Sequence, residues 1–117
     1  MSGVVEYSAD ARSKTIGGNF RCRAWVNFDG TGSGFRGSGN VSSITDNGTG
    51  DFRVNFRTPM PDANYATVLG GGDYSGSNRW DYGANAYEIA ETYASVRGVS
   101  PGGNLADPSH YSVAVFR

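Results

Sequence analysis

The sequence predicts an all-β fold, a single-domain antiparallel β-sandwich or squat barrel of about 6–8 short strands with a short N-terminal arm. Three observations predict it. The chain has 117 residues, of which 18 are Gly, 13% are aromatic and only 18% are charged. That balance suits short strands joined by tight turns and departs from the Ala, Leu, Glu and Lys richness of helical proteins. Several runs alternate apolar and polar residues with the period of a half-buried strand. Finally, Val41 to Phe56 reads V-S-S-I-T-D-N-G-T-G-D-F-R-V-N-F, two apolar-containing runs around Asn47-Gly48, the pair that best tolerates a type I′ hairpin turn.

Residues 1–19 form the arm, with Val4, Val5, Tyr7 and Ile16 as its main apolar side chains. Ser8 to Lys14 is long enough for one or two helical turns and too short to stand alone in water. Its expected role is that of an arm that docks, in a small β protein often on a neighbouring subunit. Residues 20–117 form the β domain. Its clearest strand runs from Phe20 to Phe28, where Phe20, Cys22, Ala24, Val26 and Phe28 alternate with Arg21, Arg23, Trp25 and Asn27. The loop Asp29-Gly30-Thr31-Gly32-Ser33-Gly34 ends it, and Phe35-Arg36 resumes pairing briefly before Gly37-Ser38-Gly39.

In the hairpin, Phe52, Val54 and Phe56 share one parity, whereas Val41 and Ile44 do not. A bulge or a longer loop using Gly48 and Gly50 is therefore expected, with Gly50 as the left-handed residue. Two prolines exclude Thr58 to Asp62 from a central strand. Tyr65 to Leu69 is a strand that Gly70-Gly71-Gly72 stops, and Asp73 to Asn85 is an exposed loop. Tyr87 to Arg97 is a strand, Gly98 to Asp107 a second long loop, and Tyr111 to Phe116 the last strand, with Tyr111, Val113 and Val115 on one face.

The formal net charge is −1, so no global field draws the chain to nucleic acid. No apolar run reaches the roughly 20 residues of a membrane span, and no membrane insertion is expected. One cysteine, Cys22, forbids an intrachain disulfide; its strand parity makes it a small buried hydrophobe, which argues against a Cys22–His110 nucleophile pair. Asp46 to Asp51 lacks the spacing of a calcium loop, and no His or Cys spacing fits a metal, so no cofactor or metal is expected. Glu88 and Glu91 have opposite strand parity, which separates them as a glycosidase pair.

The strongest binding cluster is on the first long loop, where Tyr74, Trp80 and Tyr82 accompany Asn78, Arg79, Asp81 and Asn85. Flat rings cover sugar C–H surface or an aromatic partner, and the polar groups supply directed hydrogen bonds. Packing of Trp80 onto the core or into a subunit contact fits the same residues. Asn104 and His110, at either end of the 104–110 stretch, join that surface if both loops leave one end of the sandwich. Trp25 and Phe35, with Tyr7 of the arm, are the candidate subunit contacts, because a glycine-rich domain of this size has a small core of its own.

Three stretches also carry a resemblance. R-A-W-V-N-F-D-G-T-G (Arg23 to Gly32), the text from Ser38 to Tyr65 beginning S-G-N-V-S-S-I-T-D-N-G-T-G, and the closing S-V-A-V-F-R (Ser112 to Arg117) resemble a module found at the C-terminal ends of bacteriophage tail fibres and related virion proteins, especially of marine and cyanobacterial phages. The resemblance is dense from Ala24 to Tyr65 and leaves Gly70 to Pro108 unmatched. It implies a homotrimeric β-rich tip in the virion, assembled in the bacterial cytoplasm, whose variable loops face a host-surface glycan or protein. Such modules end long fibres, whereas Met1 lies about twenty residues before this one. A small stand-alone virion component and an excised fragment are both expectations, and the first brings a second role, that of a capsid or tail decoration protein whose N-terminal arm, residues 1–19, attaches it to other virion proteins. On either the chain is not an enzyme.

Overall fold

The structure, a computed structural model, describes residues 21–32, 34–73 and 80–117, with the side chains of 73 and 80–82 excepted. The arm, Tyr7 included, lies outside the described residues. Eight strands run β1 (Cys22–Asp29), β2 (Gly34–Gly39), β3 (Val41–Gly48), β4 (Asp51–Phe56), β5 (Ala66–Asp73), β6 (Trp80–Ile89), β7 (Tyr93–Val99) and β8 (His110–Phe116). The fold is the expected all-β one: two four-stranded antiparallel sheets pack face to face, β2-β1-β8-β5 and β6-β7-β4-β3. β6 joins them, because its first residues pair with β5 (Asp73 opposite Trp80) and the remainder with β7 (Gly83 opposite Val99).

At the opposite corner the edge strands β2 and β3 are consecutive, turned into one another by Asn40. This residue has φ 57°, the only positive φ of a non-glycine among the described residues, and asparagine tolerates that region better than most. Its side chain fills the corner: Nδ2 donates to the carbonyls of Arg23 and Thr58, and Oδ1 accepts from the Thr58 amide at 2.7 Å.

The period-two patterns are what put the core between the sheets. Ala24, Val26 and Phe28 of β1 and Tyr111, Val113 and Val115 of β8 face Phe52, Val54 and Phe56 of β4 and Ala94 and Val96 of β7. Phe28 stacks on Tyr111 and meets Phe52 edge-on, both at 5.2 Å between ring centres. Two buried tyrosines satisfy their hydroxyls on backbone: Tyr111 donates to the Arg97 carbonyl at 2.6 Å, and Tyr65 to the carbonyls of Ala90 and Tyr93.

Several expectations need correction. Gly70-Gly71-Gly72 does not stop β5, which continues to Asp73. Gly70, Gly71 and Gly72 pair with Ser112, Tyr111 and His110, and an available partner strand outweighs glycine's weak strand preference. Trp80 to Asn85 is strand rather than loop, and the segment read as one strand from Tyr87 to Arg97 is two, reversing at residues 90–92. Gly37-Ser38-Gly39 belongs to β2, where the Trp25 ring lies over both glycines: a Cβ on Gly39 would come within 2.5 Å of Trp25 Nε1, and one on Gly37 within 3.0 Å of the ring. The ring supplies the cover that the glycines lack.

Cys22 is exposed, because the β1 register slips between Cys22 and Ala24 and takes it off the buried parity. The β3–β4 turn is centred on Thr49 and Gly50, with Gly48 opposite Asp51 and a register slip between Asp46 and Gly48. The left-handed residue is Gly50 at φ 67°, and Asp46 Oδ1 accepts the Gly48 amide.

Candidate functional site

Strand register sends both long loops out of one end of the sandwich. Asp73, where β5 stops, is opposite Trp80; its neighbour Gly72 is opposite His110, where β8 starts; and Val99, where β7 stops, is opposite Gly83. The 30–33 connection after β1 and the Thr49-Gly50 turn leave from the same end, since Phe28 pairs with Tyr111 and Asp51 with Arg97.

The loop of residues 100–109 is clasped at its stem. Gly50 donates its amide to Asp107 Oδ1 at 2.6 Å and accepts from the Gly98 amide at 2.9 Å; Ala106 donates to the Gly98 carbonyl, and Gly30 to the Pro108 carbonyl at 2.8 Å. Glycines are required for so close an approach. A Cβ on Gly50 would stand 2.6 Å from Gly98 O and from Ala106 N, and one on Gly30 2.5 Å from Pro108 O. Above the buried stem, Ser100 and Asn104 close the apex by a 2.8 Å backbone bond, and residues 101–105 are exposed.

Asn104 therefore sits on the exposed apex. His110 is half-buried at the loop's base, its Nδ1 3.4 Å from Ser109 Oγ. Trp80, Asp81 and Tyr82 form the first three residues of β6, whereas Tyr74, Asn78 and Arg79 lie outside the described residues. Asn85 is exposed on the outer face of the second sheet, opposite Arg97.

That outer face carries a set of side chains of which the sequence reading singled out only Glu88, and for another role. Arg53 lies over the Tyr93 ring, 3.9 Å from its centre, and its Nη2 reaches Glu88 Oε1 at 3.2 Å. Ser95, fully buried beneath them, donates to Glu88 Oε1. One row nearer the loops, Arg97 lies 4.0 Å over the Tyr87 ring, and the Tyr87 hydroxyl donates to Asp51 Oδ1. This hydrogen bond to the carboxylate pushes the Tyr87 hydroxyl pKa upward. The register slip between Ala86 and Glu88 lets Tyr87 and Glu88 both serve this face. The outward parity of Tyr93, Ser95 and Arg97 was legible in the sequence; the stacking partners lie on other strands and needed the register.

Such a face offers ring edges, two held guanidinium groups, carboxylates and amides, the inventory that grips hydroxyl-rich ligands. Glu91 is in the 90–92 turn, apart from Glu88, which Arg53 and Ser95 engage. Cys22 and His110 stand at opposite ends of the β1–β8 pairing. Among the described residues no three His, Cys, Asp or Glu side chains gather as for a metal ion.

The outer face of the first sheet is different in kind. Trp25, Ala114 and Val68 form one cross-strand row, which borders a shallow depression of about 400 Å3, and Cys22, Phe116 and Ala66 form the next row. Trp25 is 45% exposed, Val68 59% and Phe116 37%; Phe35, opposite Phe28 in the β1–β2 register and so on the other face at the sheet edge, is 41% exposed, and each of the two candidate contacts is about half uncovered in the single chain.

Comparison of the chain with protein-family models, curated proteins and solved structures finds no match.

Proposed function

We propose that this chain is a non-enzymatic bacteriophage virion protein, a tail-fibre-tip-like module that binds a host-surface receptor, a glycan before a protein, through the segments 73–85 and 99–110. The observation that carries the reading is the departure of those segments from one end of the sandwich, with the second loop clasped by Gly50 and Asp107. A loop ordered in advance loses less entropy on binding. The sequence resemblance of Arg23 to Tyr65 supports the virion setting, and the chemistry of Trp80, Tyr82, Asn85 and Asn104 supports a glycan. A homotrimer is part of the proposal, with the apolar outer face around Trp25 as the surface that subunits would cover. The same face favours the second reading, a capsid or tail decoration protein held on other virion proteins.

A glycan array together with adsorption to host cells tests the first reading. Binding that drops at least about tenfold in Trp80→Ala, with circular dichroism unchanged, is expected. Absence of binding to any glycan or cell, or equal binding by the variant, would refute it.

A further inference from the structure

The edge strands β2 and β3 join at Asn40, and toward the loop end a pocket of about 250 Å3 opens between them. Phe28 and Phe52, each 2% exposed and edge-to-face, line its apolar interior with the half-buried Ile44 and the exposed Phe35 ring. Asp29 and Asp46 are the ionisable groups of its lining. Asp29 accepts from the Thr31 amide and hydroxyl and has Arg36 at 3.7 Å. Asp46 accepts only the Gly48 amide through Oδ1 and forms no ion pair within the described residues. Gly32 at φ 112° and Gly34 at φ 90° also line the pocket, and neither has an atom within 4 Å of where a side chain would begin.

We propose that this pocket receives one basic side chain, an arginine or a lysine, of a partner protein. Its volume falls below the roughly 300–1,000 Å3 of small-molecule sites and suits a single side chain. An apolar interior with an acidic lip matches a group whose stem is hydrocarbon and whose head is a cation. The stem lies against Phe28, Ile44 and Phe52, and the cation sits between the Phe35 ring, by cation–π attraction, and the unpaired carboxylate of Asp46. This recognition is independent of what the loops bind.

The test is an amide NMR titration of the whole protein with the capped peptide Gly-Arg-Gly and its uncharged counterpart Gly-citrulline-Gly. The arginine peptide is expected to move the Gly30, Gly32 and Gly34 resonances, with the citrulline peptide at least about fivefold weaker. Asp46→Asn keeps the acceptor for the Gly48 amide and removes only the charge, and Phe35→Ala alters an exposed ring; each is expected to weaken arginine binding by about threefold or more. No movement of those three glycines, equal binding of the citrulline peptide, or indifference to both variants would overturn the proposal.

Discussion

Replacing Gly50 with alanine will unclasp the second long loop. Gly50 has φ 67°, a left-handed conformation that costs a non-glycine residue about 1–3 kcal/mol when the surroundings enforce it. The new methyl would also stand 2.6 Å from Gly98 O and Ala106 N and 2.9 Å from Ala106 O, all backbone atoms with no side-chain freedom to yield. Relief requires moving residues 98 and 106 away, which stretches the 2.6 Å hydrogen bond from the Gly50 amide to Asp107, a charge-assisted bond worth about 1.5–3 kcal/mol. These costs share atoms and will not add fully, so a loss of about 3 kcal/mol is expected. With a urea m-value of about 1.5 kcal/mol/M, the unfolding midpoint falls by about 2 M. Gly102→Ala is the control within the same loop: its Cβ would meet nothing closer than 3.8 Å, and its midpoint is expected to stay within about 0.3 M of the parent. A Gly50→Ala midpoint as close as that to the parent would refute the clasp.

Three further outcomes follow from the packing. Tyr111→Phe removes the hydroxyl that satisfies the Arg97 carbonyl in a fully buried site, and a loss of about 1–3 kcal/mol by chemical denaturation is expected; no loss would mean water already serves that carbonyl. Trp25→Ala uncovers Gly37 and Gly39 and is expected to cost about 2–3 kcal/mol from the half of the ring now covered. Gly39→Ala should destabilise the parent, where its Cβ meets the indole, and be neutral or stabilising in the Trp25→Ala background; a double-mutant cycle with no coupling contradicts the stacking. Burial raises the Tyr65 pKa from its ordinary 10.0 to about 12 and raises that of Tyr111 as well. The neutral phenols are favoured by folding, so their contribution is complete below pH 10 and is lost as pH climbs through 12. Circular dichroism should show alkaline unfolding in that window, accompanied by the last of the tyrosinate absorbance, and titration of all seven tyrosines near pH 10 without unfolding would contradict it.

How much could be read beforehand depends on whether a strand has one buried face. In β1, β4 and β8 the alternation of Val26 and Phe28, Phe52 and Val54, or Val113 and Val115 with polar residues is itself the partition between core and solvent, so these strands and their inward faces were legible. β5 beyond Leu69 and β6 before Ala84 were not, because Gly70 to Gly72 and Trp80 to Gly83 have no hydrophobic period; their extension comes from pairing with β8 and with each other. Local turn chemistry pointed to Gly50 as the left-handed residue, but not to its contact with Gly98 and Ala106, some fifty residues along the chain. The slip at Cys22 reversed its burial for a similar reason, since a bulge leaves parity in the sequence unchanged while altering it in space. At the loop end, the residue types around Trp80 suggested binding, yet the Tyr87–Arg97 and Tyr93–Arg53 stacks emerge only once three strands are in register.

Where the protein sits and what it touches decide the proposed tip role. Electron microscopy of intact particles labelled with antibody fragments against it gives the most direct answer. A few labels at the tail tip, with adsorption to host cells blocked by the fragments, is the expected result. Many labels spread over the capsid, with adsorption unimpaired, would contradict it.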